Sequence, residues 1–460
     1  MSVATTSTGL PADIVNLIQS NTLDRVFHEN CFPRLLYRSE AMPELWAANI
    51  GDVKIFTRPG LLPRVTKPLS PGVDPVASSY SFEQWRAEAS QYGSTIPTHM
   101  PTSSVSLASL YLRNIQELGK QAGLSLNSLP RNALFRAYLG GDTVTTAIAA
   151  IAATTVRVAS VNGFLEKLQG ARPSPVSNLN PLSVTFPGTA EPANTVVAAL
   201  PDVAADPGGP GTIQFGAALT AGLAIRSRVL AANASTIRRA GGANTIDGIT
   251  GANTLGLQDI INAVANMRAN NVPPTPDGFY HVHVTPEGEA QLYADPQFRQ
   301  LFQSLPDSME YRDLAIGQLV GCRFYRNTEN PNTQNSGPLV ATGALSLEAP
   351  EIGAELTNVL GLAIKRALIL GGGSVYEPYI DEGRYISEAG VMGKIGEFSV
   401  VNGGVQVMTE RIRLILRAPL DKLQQVVDSS WSWSGDFAVP SDELTGSPSR
   451  FKRAVCIEHA

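Results

Sequence analysis

The sequence predicts an α+β fold organised around a long projecting arm, and three observations carry that prediction. Glycine (41 residues) and proline (32 residues) together exceed the roughly 12 % of a typical chain, which favours loop-rich sheet structure over a helical bundle. Strand-like runs (Asp52–Arg58, Phe279–Val284, Arg411–Leu416) are interleaved with stretches whose apolar residues recur at three- and four-residue steps (Leu107–Ala122, Leu257–Met267). One segment, Gly51–Gly119, sets two strand-like runs around a proline-dense tip and has no apolar core of its own.

Residues 1–50 read as an N-terminal arm lying over another surface. Met1–Leu10 is polar and expected to be disordered; without a basic start and an apolar stretch it does not read as a signal peptide. Asp13–Leu23 predicts a short helix with Ile14, Leu17 and Ile18 on one face, and Phe27–Met42 mixes apolar and basic residues, including Arg34 and Arg38.

Residues 51–100 read as an extended loop. Asp52–Arg58 is a strand with β-branched and aromatic residues between charges. Pro59, Pro63, Pro68, Pro71 and Pro75 then remove ladder donors and fix φ, so the tip is neither an interior strand nor a helix. Ser79–Glu88 returns as a strand carrying Tyr80, Phe82 and Trp85 on both faces. An isolated hairpin is marginal in water, so something must cover this one, and a second copy of the chain is the economical answer. From Val53 to Val73 the charged residues are Lys54, Arg58, Arg64 and Lys67, with no acid among them. Such a run is either a solvated basic loop or a tip that docks on acidic groups of a neighbour. Candidates for those groups are Glu40, Glu44, Glu348, Glu351 and Glu355, and Trp85 joins the four cations as a candidate interface residue.

In residues 101–160, Leu107, Tyr111, Ile115, Leu118 and Ala122 predict a long helix. A second helix, Arg131–Leu139, is expected to begin near Pro130 and stop at Gly140-Gly141. Val144–Val161 fits helix or strand equally. Residues 161–249 shift to Pro, Gly, Asn and Ser and predict a β-rich insertion rather than a long surface excursion, with strands at Leu182–Phe186 and Thr212–Phe215 and a turn or flexible tip at Pro207–Gly211. Residues 250–399 resume order. Asn253-Thr254 are expected caps for a helix whose Leu257, Ile260, Ile261, Val264 and Met267 share a face. A strand at Phe279–Val284 follows, then two short helices divided at Asp295-Pro296, a strand at Cys322–Tyr325 and a polar loop at Asn327–Gly337. A strand–glycine–strand pattern surrounds Gly371-Gly372-Gly373. In residues 400–460, Val400, Gln406–Thr409 and Ile412–Leu416 predict adjacent antiparallel strands, with Ile412, Leu414 and Leu416 on one face. Trp431 and Trp433 fit an interface or their own sheet equally well.

Composition narrows the function. A net charge of −5 argues against a free-standing nucleic-acid binder. Cys31, Cys322 and Cys456 stand at no metal or redox spacing and suggest a reducing compartment. No apolar run approaches the ~18 residues of a membrane span, so a soluble chain is expected. His281 and His283 share a strand face and would make half a metal site, but no third ligand stands near them. Gly371-Gly372-Gly373-Ser374 lacks the lysine of a phosphate loop, and no nucleophile elbow, zinc-helix or Walker A spacing occurs. A non-enzymatic protein without a cofactor is expected; a metal-dependent enzyme using His281 and His283 is the weaker alternative.

The order of these parts (N-terminal arm, β-arm, long helix, compact α+β unit, closing strand pair) resembles the major capsid proteins of tailed double-stranded DNA bacteriophages, the Hong Kong 97 fold, and most of all the coat proteins of short-tailed phages. Asp52–Ser94 would match the extended loop, Ser104–Gly123 the spine helix of the peripheral domain, and Thr254–Tyr293 the opening of the axial domain. Lys365–Ile380 would match the family's glycine-containing strand region and Gln406–Leu416 the strand closing the peripheral domain. The resemblance implies self-assembly into pentamers and hexamers of an icosahedral shell around packaged DNA, made in the host cytoplasm and ending in the virion. It also implies scaffolding, portal and decoration partners and no membrane. A nanocompartment shell protein of the same fold, encapsulin-like, is the alternative within this resemblance.

Overall fold

The computed structural model describes residues 10, 12–32, 35–47, 51–60, 62, 64–68, 72, 74–80, 82–105, 110–169, 172–202, 209–303, 318–328, 358, 360–382, 393–395, 398–401, 404–417, 419, 423, 425–440 and 452–460. Helix and sheet are mixed, and the chain divides into two units. The first comprises segments within 1–54, 86–131 and 375–438; the second comprises segments within 55–85, 132–374 and 439–460.

The first unit is built on an eight-stranded sheet. Its strands run in the order Met42–Leu45, Tyr376–Tyr379, Val426–Gly435, Ile412–Arg417, Gly404–Thr409, Phe398–Val401 and Gly393–Ile395, and Ser90–His99 also pairs along Val426–Gly435. The three strands between Phe398 and Arg417 are antiparallel neighbours, and Ile412, Leu414 and Leu416 are buried together, as their alternation predicts. Ser90–His99 carries too many Ser, Thr and Gln residues to read as a strand, yet all ten residues pair antiparallel with Val426–Gly435. Its partner strand supplies the apolar face: Trp431 and Trp433 are buried in their own sheet, and Trp433 stacks on Phe437 at 5.2 Å.

The N-terminal helices Ala12–Gln19 and Thr22–Cys31 correct the reading of residues 1–50 as an arm over another surface. Ile14, Ile18, Leu23, Phe27, Cys31 and Tyr37 are buried within this unit. Two glycines let the second of these helices approach the long helix Leu110–Tyr138. A Cβ at Gly119 would lie 2.8 Å from the Phe27 carbonyl oxygen, and one at Gly123 would lie 2.5 Å from that of Cys31. The segment is also pinned electrostatically. Arg38 donates from Nε (2.9 Å) and Nη2 (2.7 Å) to Oε1 of the fully buried Glu377, and Arg411 Nη1 lies 3.0 Å from its Oε2.

The long helix is a second correction. Leu110–Tyr138 is one helix running through Pro130, where two were expected. Proline removes one hydrogen bond at a cost of about 3 kcal/mol. Side chains buried on both sides of it, Leu118, Ala122 and Leu126 before and Leu134, Phe135 and Tyr138 after, outweigh that cost.

The second unit holds two six-stranded sheets. One runs in the order Ile237–Arg239, Ala454–His459, Lys365–Leu370, Tyr280–Val284, Cys322–Arg326 and Gln318–Leu319. Its core takes Leu257, Ile260, Val264 and Met267 from the helix Leu257–Ala269, and Leu292 and Phe298 from the two short helices Pro286–Ala294 and Pro296–Gln303. The split at Asp295-Pro296 is as expected. The cap differs: Gly256 is the N-cap, because Asn253 closes its own turn by accepting from the Thr250 N–H (2.7 Å). The strand Ala454–His459, grouped by sequence order with the closing strands, instead pairs along its whole length with Lys365–Leu370.

The other sheet takes in the strands expected within residues 161–249, but two of its six strands, Asp142–Val144 and Thr155–Val158, precede that stretch. It runs Asp142–Val144, Arg228–Ala231, Leu182–Thr185, Asn194–Pro201, Gly211–Phe215 and Thr155–Val158, so within the ambiguous Val144–Val161 strand is found at Val144 and at Thr155–Val158. Val158, Phe164, Leu182, Val196 and Ile213 form its core. A buried ion network ties the two sheets. Asp142 receives Arg228 (2.7 Å) and Arg239 (3.0 Å), while Glu458 receives Arg239 (2.9 Å) and Arg366 (3.1 Å). Each buried charge thus has an opposite partner, the condition under which burial is tolerated.

Candidate functional site

The arm's strands, Val53–Pro59 and Phe82–Glu88, pair as a two-stranded sheet. Its root is packed within the chain. Alternation along Phe82–Glu88 puts Glu83, Trp85 and Ala87 on a buried face. Trp85 stacks nearly parallel on Phe56, with centroids 5.5 Å apart and planes inclined by 7°. The Arg58 guanidinium lies over the Trp85 ring, 5.1 Å from its centroid, and its Nη2 donates to the Gly373 carbonyl at 3.1 Å. Across the sheet Gln84 Nε2 donates to Thr57 Oγ1 (3.1 Å).

The triple glycine therefore has a structural task. The Gly373 carbonyl accepts from Arg58, and the Gly372 carbonyl accepts from Arg453 Nη1 at 3.3 Å. The Gly372 N–H donates to the Pro273 carbonyl (2.9 Å), and a Cβ at Gly372 would lie 2.4 Å from the Pro274 carbonyl oxygen. Tyr138 belongs to the same junction: its hydroxyl donates to the Ser374 carbonyl at 2.9 Å.

Beyond Pro59 the arm changes character. The described residues from Gly60 to Tyr80 form no helix or strand, and from Leu62 onward they are exposed. Leu62, Val65 and Val76 are 54 %, 82 % and 92 % exposed, and the Tyr80 and Phe82 rings lie against each other, centroids 4.8 Å apart, each still partly open to solvent. Arg64 and Lys67 are exposed here, and among the described residues neither forms an ion pair.

The structure thus separates the expected interface residues. Lys54 Nζ is 2.8 Å from Glu44 Oε1 and 3.0 Å from the Leu45 carbonyl, so Glu44 meets a cation of its own copy. Arg58 and Trp85 belong to the root, and Arg64 and Lys67 to the open tip. Glu40 closes the short turn Arg38–Glu40. Glu348, Glu351, Glu355, Arg34, the segment before Leu10, most of the Asn327–Gly337 loop and the start of the Pro207–Gly211 turn lie outside the described residues. Sequence reasoning missed Glu83 and the Gly373 carbonyl. The signal for Glu83 was available, since it stands two residues before Trp85 and therefore on the same face.

The two histidines go to separate tasks. His281 Nε2 is 2.8 Å from Asp277 Oδ2 and 3.0 Å from Thr275 Oγ1. Burial works against the Asp277 charge, but hydrogen bonds from Thr275, His281 and the Phe279 N–H hold its carboxyl well below the usual carboxylate range. His283 is fully buried, stacked on Tyr325 at 5.4 Å and beside Asn327. Among the described residues no group of three or more His, Cys, Asp or Glu is placed to hold a metal ion, and no helix is long and apolar enough to cross a membrane. Burial pushes the Cys31 thiol up to about 11 and those of Cys322 and Cys456 up to about 12.

No protein-family model and no curated protein matches the sequence. Among solved structures, the chain is similar to the capsid structure of cyanophage P-SCSP1u, at 11 % identity and a TM-score of 0.47 over 93 % of this chain and 88 % of that one. It is similar to the capsid of Ralstonia phage GP4, at 12 % identity and a TM-score of 0.45 over 91 % and 86 % of the two chains. It is also similar to the capsid asymmetric unit of cyanophage Pam1, at 10 % identity and a TM-score of 0.46 over 94 % and 92 %.

Proposed function

We propose that this chain is the major capsid protein of a tailed double-stranded DNA bacteriophage, of the Hong Kong 97 type, and that it acts by self-assembly. The observation that carries the reading is the arm: a root packed within the chain and a proline-stiffened tip whose leucine and valines face solvent. Apolar side chains at the end of a projecting two-stranded sheet gain nothing in a monomer. They become buried when the tip lies on another copy, and the contact forms only on assembly.

In this reading the arm built on Val53–Pro59 and Phe82–Glu88 is the extended loop, ending before residue 100 because Ser90–His99 pairs in the first unit's sheet; the first unit is the peripheral domain, and the sheet holding Tyr280–Val284 belongs to the axial domain. The 161–249 insertion decorates that core. Copies form pentamers and hexamers, and the shell encloses DNA without reading its sequence. Scaffolding, portal and decoration proteins are the further partners the reading implies. Arg64 and Lys67 are the cations left for an acidic surface on the neighbour, with Glu40, Glu348, Glu351 and Glu355 as the groups to test.

Light scattering and negative-stain microscopy of the purified chain test the reading: closed shells of uniform size are expected. A chain that stays monomeric under all assembly conditions refutes it. Reversing Arg64 and Lys67 to Glu is expected to weaken assembly, and raising salt is expected to weaken the parent in the same direction.

A further inference from the structure

We infer that Arg58 is a latch that fixes the direction of the arm, a positioning residue as distinct from a contact with a neighbour. Its guanidinium is held on two sides by groups of different origin: the Trp85 ring of the returning strand, and the Gly373 carbonyl of the glycine turn in the compact part of the same unit. A planar cation satisfies both at once, stacking on the ring while directing an N–H in its plane at the oxygen. The turn is suited to receive it. Gly373 sits at φ 74°, in the left-handed region open to glycine, and its neighbour Gly372 is locked by the Pro273 carbonyl and by Arg453.

The acceptor therefore cannot follow the arm, and the ring cannot leave it. Beyond Pro59 the described residues lose regular structure, so the direction in which the tip leaves the unit is set at the root, where Arg58 joins the buried Glu83 and Trp85. Phe56 and Trp85 fix the ribbon to itself by stacking nearly parallel. Arg58 links that stack to the glycine turn. In the capsid reading, the latch determines which surface of the neighbour the tip reaches. The latch itself does not depend on that reading.

The test uses the unassembled full-length chain, so it stands or falls apart from assembly. Spin labels are placed at Lys67→Cys on the tip and Ala265→Cys on the exposed side of the helix Leu257–Ala269. The native thiols are buried and poorly ionised, so only the introduced ones react. With Arg58 present, the distance distribution is expected to be narrow. Arg58→Gln is expected to widen it at least twofold, Arg58→Lys by an intermediate amount, and Arg64→Gln at the tip not at all. Near-ultraviolet circular dichroism reports that each variant is folded. A parent distribution already as wide as that of Arg58→Gln, or an Arg58→Gln distribution as narrow as the parent's, overturns the latch. Equal broadening by Arg64→Gln overturns it as well.

Discussion

Replacing Leu62, Val65 and Val76 together by serine probes the contact at the arm's tip. At 54 %, 82 % and 92 % exposure, these side chains leave a little over two side chains' worth of apolar surface in water. At about 1.5–3 kcal/mol for each fully buried aliphatic side chain, complete covering by a neighbour would contribute about 3–7 kcal/mol per arm. Protein association does not realise all of this, because immobilising side chains and imperfect fit offset part of it. A conservative expectation is that about 1.4 kcal/mol is lost, equivalent to a tenfold weaker contact. Each subunit carries one arm, so the threshold concentration for shell formation, read by light scattering, should rise at least tenfold. The folded chain itself should be unaffected to within about 0.5 kcal/mol, because the three residues are exposed and lie away from the buried core. A triple variant with the parent's threshold would show that the tip is not covered on assembly, and the capsid reading would lose its main support.

Other consequences concern stability and reactivity. Burial drives the His459 imidazole down to about 4, so the unfolded chain binds a proton between pH 6.5 and about 4 that the folded chain refuses. The stability from this group is present in full above pH 6.5 and is lost as pH falls towards 4, by about 3 kcal/mol. Urea unfolding across that range should show the slope, and His459→Gln should flatten it. Glu377→Gln leaves the buried Arg38 and the partly exposed Arg411 without their carboxylate and should cost about 3–5 kcal/mol in chemical denaturation. A loss below about 1 kcal/mol would mean the pair is effectively solvated. Cys31, Cys322 and Cys456 should stay unreactive to a thiol reagent at pH 8 until the chain unfolds, and fast labelling of any of them in the native state would contradict their burial.

Period and punctuation made much of the fold legible. Ile412–Leu416 shows its buried face in the alternation itself, Asp295-Pro296 divides two helices where the prolyl ring forces it, and the glycine turn between two strands is visible as composition. The misses share one physical cause. Where local chemistry and tertiary burial disagree, burial decides. Pro130 should stop a helix, and Ser90–His99 is too polar for an ordinary strand. Both follow the surface they pack on, which lies far away in sequence. The arm was legible as a projecting hairpin, but its division into root and tip was not. Arg58 and Arg64 look alike in a list of charges. They differ because one reaches the carbonyl of Gly373, more than three hundred residues further along the chain.

The strand Ala454–His459 adds a constraint of time. It fills an interior position between Ile237–Arg239 and Lys365–Leu370, and all six of its residues are buried. A chain emerging from the ribosome amino end first can form the first unit's N-terminal helices and the strands of the insertion early. It cannot close this sheet until residues 454–459 have been released, because the slot they fill has no earlier substitute. Nascent and prematurely terminated chains therefore carry an open edge on Lys365–Leu370, a template for unwanted pairing. The finished sheet becomes available only once residues 454–459 have been made, well after its other strands, so their arrival acts as its own checkpoint.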